Sequence, residues 1–297
     1  MNPRSVFLTG ATGFVGRAVV ARLRDAGIPE VRILARGAGP SDEAWPTGWR
    51  RVAGDLTQSG SWERELEGID TVVHLAARTG KATRRELWAA NAIATERLVA
   101  AARRAGVSRF LFVSSIAAGY PDRRHYHYAT AKLAAEAAVL GSGLDALVVR
   151  PTQVFGPGSV VQANLEKLAT LAVPIMFGPG VAIQPIHVED LATALVAALG
   201  LDRWGGAVVD LGGPEAITTP ELLAAIRARR GLTVRRPLRI PLEPLRTVLA
   251  AVEPLLLPLL PFTAGQLAAF ANPAVVTRGP ETIGLPRPTR GLDAMLA

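Results

Sequence analysis

The 297-residue chain is 49% hydrophobic and 20% charged, enough apolar material for one large domain or two closely packed lobes, which excludes an extended disordered chain. It contains no cysteine, so disulfides, thiolate metal sites and a cysteine nucleophile are excluded, and a cytoplasmic setting fits. The formal net charge of +8 is carried by scattered arginines and only three lysines, Lys81, Lys132 and Lys167, with few aromatics between them, the pattern of a solvated surface rather than a nucleic-acid site.

In chain order, Val6-Phe7-Leu8 reads as a first strand. It runs into Thr9-Gly10-Ala11-Thr12-Gly13-Phe14-Val15-Gly16 and a helix over 13–26, where Val15, Val19 and Leu23 repeat every four residues and Gly27 closes the helix. Gly10, Thr12, Gly13 and Arg17 interrupt the apolar run that a secretion signal would need. Strands follow at Val31–Leu34, Val52–Ala53, Thr71–Leu75, Phe110–Val113, Ala146–Val149 and Val208–Leu211. Helices are expected over Arg84–Ala105, closed by Gly106, over Tyr128–Leu140, closed by Gly141, and after His187. Alternating strands and helices predict an α/β fold, a Rossmann-type doubly wound parallel sheet with helices on both faces.

Regularity weakens after Pro151. Gly156-Pro157-Gly158 and Gly178-Pro179-Gly180 bracket an irregular stretch, and the chain from Pro214 onward is rich in proline. The expected organisation is a nucleotide-binding core of residues 1–152 plus 182–213, and a smaller, mostly helical cap lobe of 153–181 plus 214–297. The basic run Arg227–Arg239 precedes the apolar stretch 241–262, which suits a membrane surface or a partner protein. Pro244, Pro254, Pro258 and Pro261 exclude a continuous spanning helix there, and a buried helix pair in the second lobe is the expectation.

Glycines at 10, 13 and 16 between a strand and a helix form a phosphate cradle: a tight turn, backbone open to a pyrophosphate, and close helix–strand contact at the positive end of a helix. At the end of the second strand, where an acidic residue would hold the ribose 2′-hydroxyl of NAD, stands Arg36. A guanidinium accepts a 2′-phosphate, so NADP is expected over NAD. Asp55, in Gly54-Asp55-Leu56, either meets the adenine amine or caps its own turn. His125 and His127 lack a third ligand nearby and are not read as a metal site.

TGATGFVG, Gly54-Asp55-Leu56, His74-Leu75-Ala76-Ala77 and Tyr128-Ala129-Thr130-Ala131-Lys132 together resemble the extended short-chain dehydrogenase/reductase family, also called the NAD-dependent epimerase/dehydratase family, over nearly the whole chain. The resemblance implies a cofactor cradle of Thr9, Gly10, Thr12, Gly13, Phe14, Val15, Gly16, Arg36, Asp55 and Leu56, with Leu75, Ala76 and Ala77 on the nicotinamide side. Asn91 would then lie beneath the active site, or else serve ordinary helix packing. Tyr128 and Lys132, four apart on one helical face, form an acid–base pair in which the ammonium lowers the phenol pKa and also faces the cofactor. Ser115 is the implied hydroxyl partner, with Ser114 packing behind it. A carboxylate of the helix after His187 would cap that helix or hold the lobes together. A homodimer through two core helices is implied as well.

Ser115-Ile116-Ala117 lacks the carboxylate expected of sugar-nucleotide dehydratases, and Val181–Pro185 lacks the arginine with which sugar-nucleotide epimerases grip a diphosphate. Other segments resemble atypical members, among them the branch of the nucleotide-binding accessory subunit of respiratory complex I. Two functions are therefore expected: an NADP-dependent enzyme acting on a carbinol or carbonyl of a small apolar substrate, or a non-catalytic NADPH-holding subunit or sensor.

Overall fold

In the computed structural model, residues 2–37, 45–260 and 262–297 are described. The strands are β1 (Ser5–Thr9), β2 (Glu30–Ala35), β3 (Trp49–Ala53), β4 (Thr71–His74), β5 (Arg109–Val113), β6 (Asp145–Pro151), β7 (Val154–Phe155), β8 (Ile175–Phe177), β9 (Ala182–Ile183), β10 (Ile186–His187), β11 (Ala207–Leu211), β12 (Ile217–Thr218) and β13 (Leu238–Ile240). The α-helices are α1 (Phe14–Asp25), α2 (Arg84–Trp88), α3 (Ala94–Arg104), α4 (His127–Leu140), α5 (Val160–Thr170), α6 (Val188–Leu199), α7 (Thr219–Arg229), α8 (Leu242–Leu256), α9 (Ala268–Ala271) and α10 (Leu292–Met295).

Seven strands form one sheet in the order β11-β6-β5-β4-β1-β2-β3, and every pairing in it is parallel. Parallel strands covered on both faces are apolar on both, and the period-two alternation divides their side chains between two cores. Val6, Leu8, Ile33, Val73, Leu111 and Val149 meet α1 and α6 on one face. Phe7, Leu34, Val72, Phe112 and Val148 meet α3 and α4 on the other. The chain reverses its winding between β1 and β4, which opens a crevice at the carboxyl ends of the strands.

The expected helix over 84–105 is divided. Between α2 and α3 lies a π turn, Ala89–Ile93, centred on Asn91. The strand expected to reach Leu75 ends at His74, because Leu75 has already turned into the loop beneath the crevice.

Past β6, short strands pair as β10–β7, β12–β9 and β13–β8, and α5, α7 and α8 supply most of the remaining order. Two satellite cores hold this part: Phe155, Leu165, Met176, Leu222 and Ile226 in one, Phe177, Leu242, Leu249, Ala264 and Leu267 in the other. The tail then returns to the main sheet, where Leu285 is buried beside α6 and β11 residues. The buried helix pair expected over 241–262 is not found. Among the described residues a single helix, α8, buries Leu242, Arg246 and Leu249 and leaves its other face open. No helix among the described residues is long and apolar enough to cross a membrane.

Candidate active site

The glycine turn is built by sterics. Gly10 has φ +79°, and a Cβ there would stand 2.6 Å from the Ala76 amide nitrogen, so the turn lies against the 75–77 loop only because the residue has no side chain. A Cβ on Gly16 would run into the Gly10 carbonyl, which explains the close approach of α1 to β1. Gly13 caps α1 without any side-chain hydrogen bond, and no acidic residue sits in the first turn. The amides and positive end of α1 are thereby left for an anion.

Around this turn lies a cavity of about 450 Å³, lined among others by Thr9, Gly10, Thr12, Gly13, Arg36, Asp55, Leu56, Leu75, Ala76 and Ala77. Ten of the sequence-derived cradle residues thus converge on one space. Phe14, Val15, Gly16 and Lys132 do not line it. The two apolar side chains pack into the α1 side of the core, and Gly16 acts through helix–strand contact. Arg36, with its side chain 78% exposed, stands at the rim 3.9 Å from Asp55 Oδ2. Asp55 caps its own turn, its Oδ1 accepting from the Thr57 amide and hydroxyl at 2.8 Å each. Its remaining oxygen faces Arg36. These features fit a dinucleotide: an uncompensated helix terminus for the pyrophosphate and an exposed guanidinium beside the second strand for the ribose end.

The cavity floor hangs on a hydrogen-bond relay. Thr95 Oγ1 donates to the Asn91 carbonyl at 2.7 Å, so it accepts from His74 Nε2 at 2.9 Å. His74 Nδ1 then accepts from Thr9 Oγ1 at 2.7 Å, and Thr9 accepts the Ala76 amide at 3.2 Å. Each donor fixes the next, and only a neutral imidazole protonated on Nε2 completes the series. Burial, with the Lys132 charge second, pushes the His74 pKa down to about 3. Asn91 finishes the floor, accepting the Arg78 amide at 3.1 Å and donating to the Arg78 carbonyl at 3.0 Å. Arg78 and Thr79 also line the cavity; no sequence motif announced them, because their place is set by Asn91 from a π turn.

Ser115 follows β5, the strand beside β4, and Tyr128 opens α4. Burial pushes the Tyr128 phenol up to about 12, against the opposing influence of the nearby Ser115 hydroxyl. The lowering expected from Lys132 is not found, for a geometric reason. Lys132 Nζ donates to the Val113 carbonyl at 2.7 Å and sits 4.2 Å from the Phe112 ring centroid. Burial pushes this ammonium down to about 7, against the opposing charge of Glu136. Glu136 is held by the Ser114 hydroxyl at 2.5 Å and by Arg150 at 2.8 and 2.5 Å. Ser114 thus stands behind Ser115 as the anchor of a buried carboxylate.

The loop before Tyr128 is gripped from the far end of the chain. Asn272 donates to the Asp122 carbonyl at 2.8 Å and accepts its amide at 3.1 Å, while Arg246 of α8 donates to both Asp122 oxygens at 2.7 and 3.3 Å. Arg124 and Arg246 hold the Asp122 carboxyl well below the usual carboxylate range. His125 takes φ +61°, the only positive φ outside glycine among the described residues. In the element after β10, His187 itself caps α6, its Nδ1 accepting the Glu189 amide at 3.2 Å. Of the two roles expected for a carboxylate of this helix, the cap is thus taken by His187 and the tie to the tail remains. Asp190 binds the amides of Thr289 and Arg290 at 2.9 and 2.8 Å.

The profile of the NAD dependent epimerase/dehydratase family matches residues 6–212. The chain belongs to that family. Among curated relatives, a ceramide reductase of Caulobacter vibrioides is 36% identical over 65% of this chain and 60% of its own length. A (4-alkanoyl-5-oxo-2,5-dihydrofuran-3-yl)methyl phosphate reductase of Streptomyces griseus is 31% identical over 84% of this chain and 82% of its own. Subunit 9 of the NADH dehydrogenase [ubiquinone] 1 alpha subcomplex from Arabidopsis thaliana is 30% identical over 72% of this chain and 54% of its own. The chain thus spans 54 to 60% of several of the curated relatives it matches. A solved structure of MoeE5 with UDP-glucuronic acid and NAD superposes with a TM-score of 0.73 at 26% identity, covering 98% of this chain and 96% of that one.

Proposed function

We propose that the protein is an NAD(P)-dependent oxidoreductase that transfers hydride at a carbinol or carbonyl carbon of a small, largely apolar substrate, with Tyr128 as its acid–base group. The observation that carries this reading is the nearness of the Ser115 hydroxyl to the Tyr128 phenol at the carboxyl end of β5, one strand from the loop that lines the dinucleotide-shaped cavity. A site that merely held a nucleotide would need neither group. Names of relatives agree in class, including two reductases and an enzyme solved with NAD. The missing carboxylate beside Ser115 and the missing basic residue before His187 speak against a nucleoside diphosphate-sugar.

The nicotinamide, when bound, supplies or takes the hydride. The residues do the rest. With a pKa near 12, the Tyr128 phenol is neutral at pH 7 and suited to giving its proton to an oxygen on which negative charge develops, the direction of carbonyl reduction. Ser115 donates a hydrogen bond to the same oxygen. Lys132, held by the Val113 carbonyl, ties α4, which carries Tyr128, to the end of β5, which precedes Ser115. Arg36 favours NADP by offering its guanidinium to a 2′-phosphate.

The test is NADPH oxidation by purified protein with medium-chain aldehydes and ketones. Tyr128→Phe is expected to lower kcat by about 10²- to 10⁴-fold while leaving NADPH affinity within about twofold. Unchanged turnover in that variant would remove the assignment. NADPH should bind about tenfold tighter than NADH, a preference erased by Arg36→Ala; equal affinities in the wild type would remove the NADP preference. A second reading, an NADPH-holding subunit, draws on the likeness to the complex I subunit and on a phenol that Lys132 does not activate. Tight NADPH retention without turnover on any carbonyl of the panel would favour it.

A further inference from the structure

α8 is covered on one side only, the side that also carries Arg246. Leu242 and Leu249 are buried in the satellite core beside Phe177, Ala264 and Leu267. Facing outward are Thr247, Val248, Ala251, Leu255 and, just past the helix, Leu259, all exposed, with Leu255 at 85% and Leu259 at 80%. No charged residue interrupts that strip after Glu243 in the first turn. An exposed apolar strip with a charged margin marks a docking face.

The margin is basic at both ends. Arg239 stands exposed just before the helix. At the far end Lys81 Nζ donates to the carbonyls of Pro258 and Leu260 at 3.2 and 2.5 Å, which fixes the Lys81 segment against the apolar tip. Arg84 and Arg85, exposed, follow it. No ion pair among the described residues engages Arg239, Lys81, Arg84 or Arg85; the acidic groups nearby, Glu86 and Glu243, are paired with Arg78 and Arg124 at 3.0 Å each. A second copy docking through this strip, parallel or antiparallel, would bring one basic end against another.

We infer that the outward face of α8 is a docking surface for an anionic lipid membrane, with Val248, Leu255 and Leu259 entering the acyl boundary and Arg239, Lys81, Arg84 and Arg85 meeting the headgroups. An interfacial helix combines these two elements, buried apolar area and attraction to anionic lipid. Here the cap presents the helix already folded, so no ordering is required on contact. The inference is independent of the redox reading, since none of these residues is assigned to the reaction.

The experiment is co-sedimentation of the full chain with vesicles of phosphatidylcholine alone and of phosphatidylcholine with phosphatidylglycerol. Binding is expected only to the second, weakening as salt rises. The double variant Leu255→Glu/Leu259→Glu should lower the partition coefficient at least about tenfold, and so should Arg84→Glu/Arg85→Glu, while NADPH binding, read by fluorescence, stays as in the wild type. Retained NADPH binding shows that the variants are folded, and both leucines are too exposed to hold the core. Absence of wild-type binding to the anionic vesicles would overturn the proposal. So would binding untouched by the leucine variant, or a concentration-dependent dimer in sedimentation velocity that the leucine variant abolishes.

Discussion

His74 is wholly buried, and each ring nitrogen has one partner whose role is fixed by the next group in the relay. Only the neutral ring satisfies both. Its pKa falls from 6.5 in the unfolded chain to about 3 in the folded one, so between these values the unfolded state binds the extra proton and stability is lost as the pH drops. The loss approaches about 1.4 kcal/mol per pH unit. Urea unfolding at pH 7.0, 6.0 and 5.0 should therefore show a falling free energy, and His74→Gln should flatten that slope whatever its cost at pH 7. An unaltered slope in the variant would refute the relay. Asn91 offers a companion test. Asn91→Leu strands the amide and carbonyl of Arg78 at the cavity floor, with an expected cost of about 2 kcal/mol in unfolding free energy and weaker coenzyme binding by calorimetry.

Helix α4 brings Tyr128 to the site, but the approach to α4 is held by elements more than a hundred residues downstream. Arg246 is buried on α8 and its guanidinium is satisfied by Asp122 and the Arg124 carbonyl. Removing it leaves the Asp122 loop fastened only by Asn272 and Arg124. Arg246→Ala is expected to cost about 2 to 4 kcal/mol and to lower turnover more than coenzyme affinity, since the loop carries Tyr128 and not the glycine turn. Stability from chemical unfolding, with kcat and coenzyme Kd measured separately, checks this split; a fall in coenzyme affinity matching that in turnover would count against it. The same loop shows where sequence reading stops. The glycine turn and the Tyr128–Lys132 pair could be singled out because each depends on a local spacing along a turn or helix, while Ser115 came from the family resemblance. Asp122, Arg246 and Asn272 could not be singled out, because their pairing depends on tertiary contact between α8, the tail and a loop with no periodicity of its own. The π turn at Asn91 was hidden for a related reason: a single added residue in a helical turn leaves the apolar pattern on either side nearly unchanged.

The seven-stranded sheet could be read from alternating apolar runs, whereas the path of the last seventy residues could not, because prolines and glycines there mark turns without saying where the chain goes next. It returns to the sheet. Asp210 accepts the amides of Thr277 and Arg278 at 3.1 and 3.3 Å, Gln184 Oε1 accepts the Val276 amide at 3.0 Å, and Asp190 holds Thr289 and Arg290 on α6. These ties, with Leu285 in the main core, couple the satellite cores to the sheet through buried polar groups whose loss is costly. The tryptophans make the coupling measurable: all five, at 45, 49, 62, 88 and 204, lie outside 153–181 and 214–297, so their fluorescence reports the sheet and its own helices. If the lobes unfold together, fluorescence and far-ultraviolet circular dichroism will give one coincident transition in urea. Asp190→Ala leaves the amides of Thr289 and Arg290 without their acceptor and should lower the midpoint by an amount corresponding to about 2 to 3 kcal/mol, moving both signals equally. A fluorescence transition that stays in place while the dichroism transition moves to lower urea would show that the tail and satellite cores melt independently of the sheet, and the proposed coupling would fail.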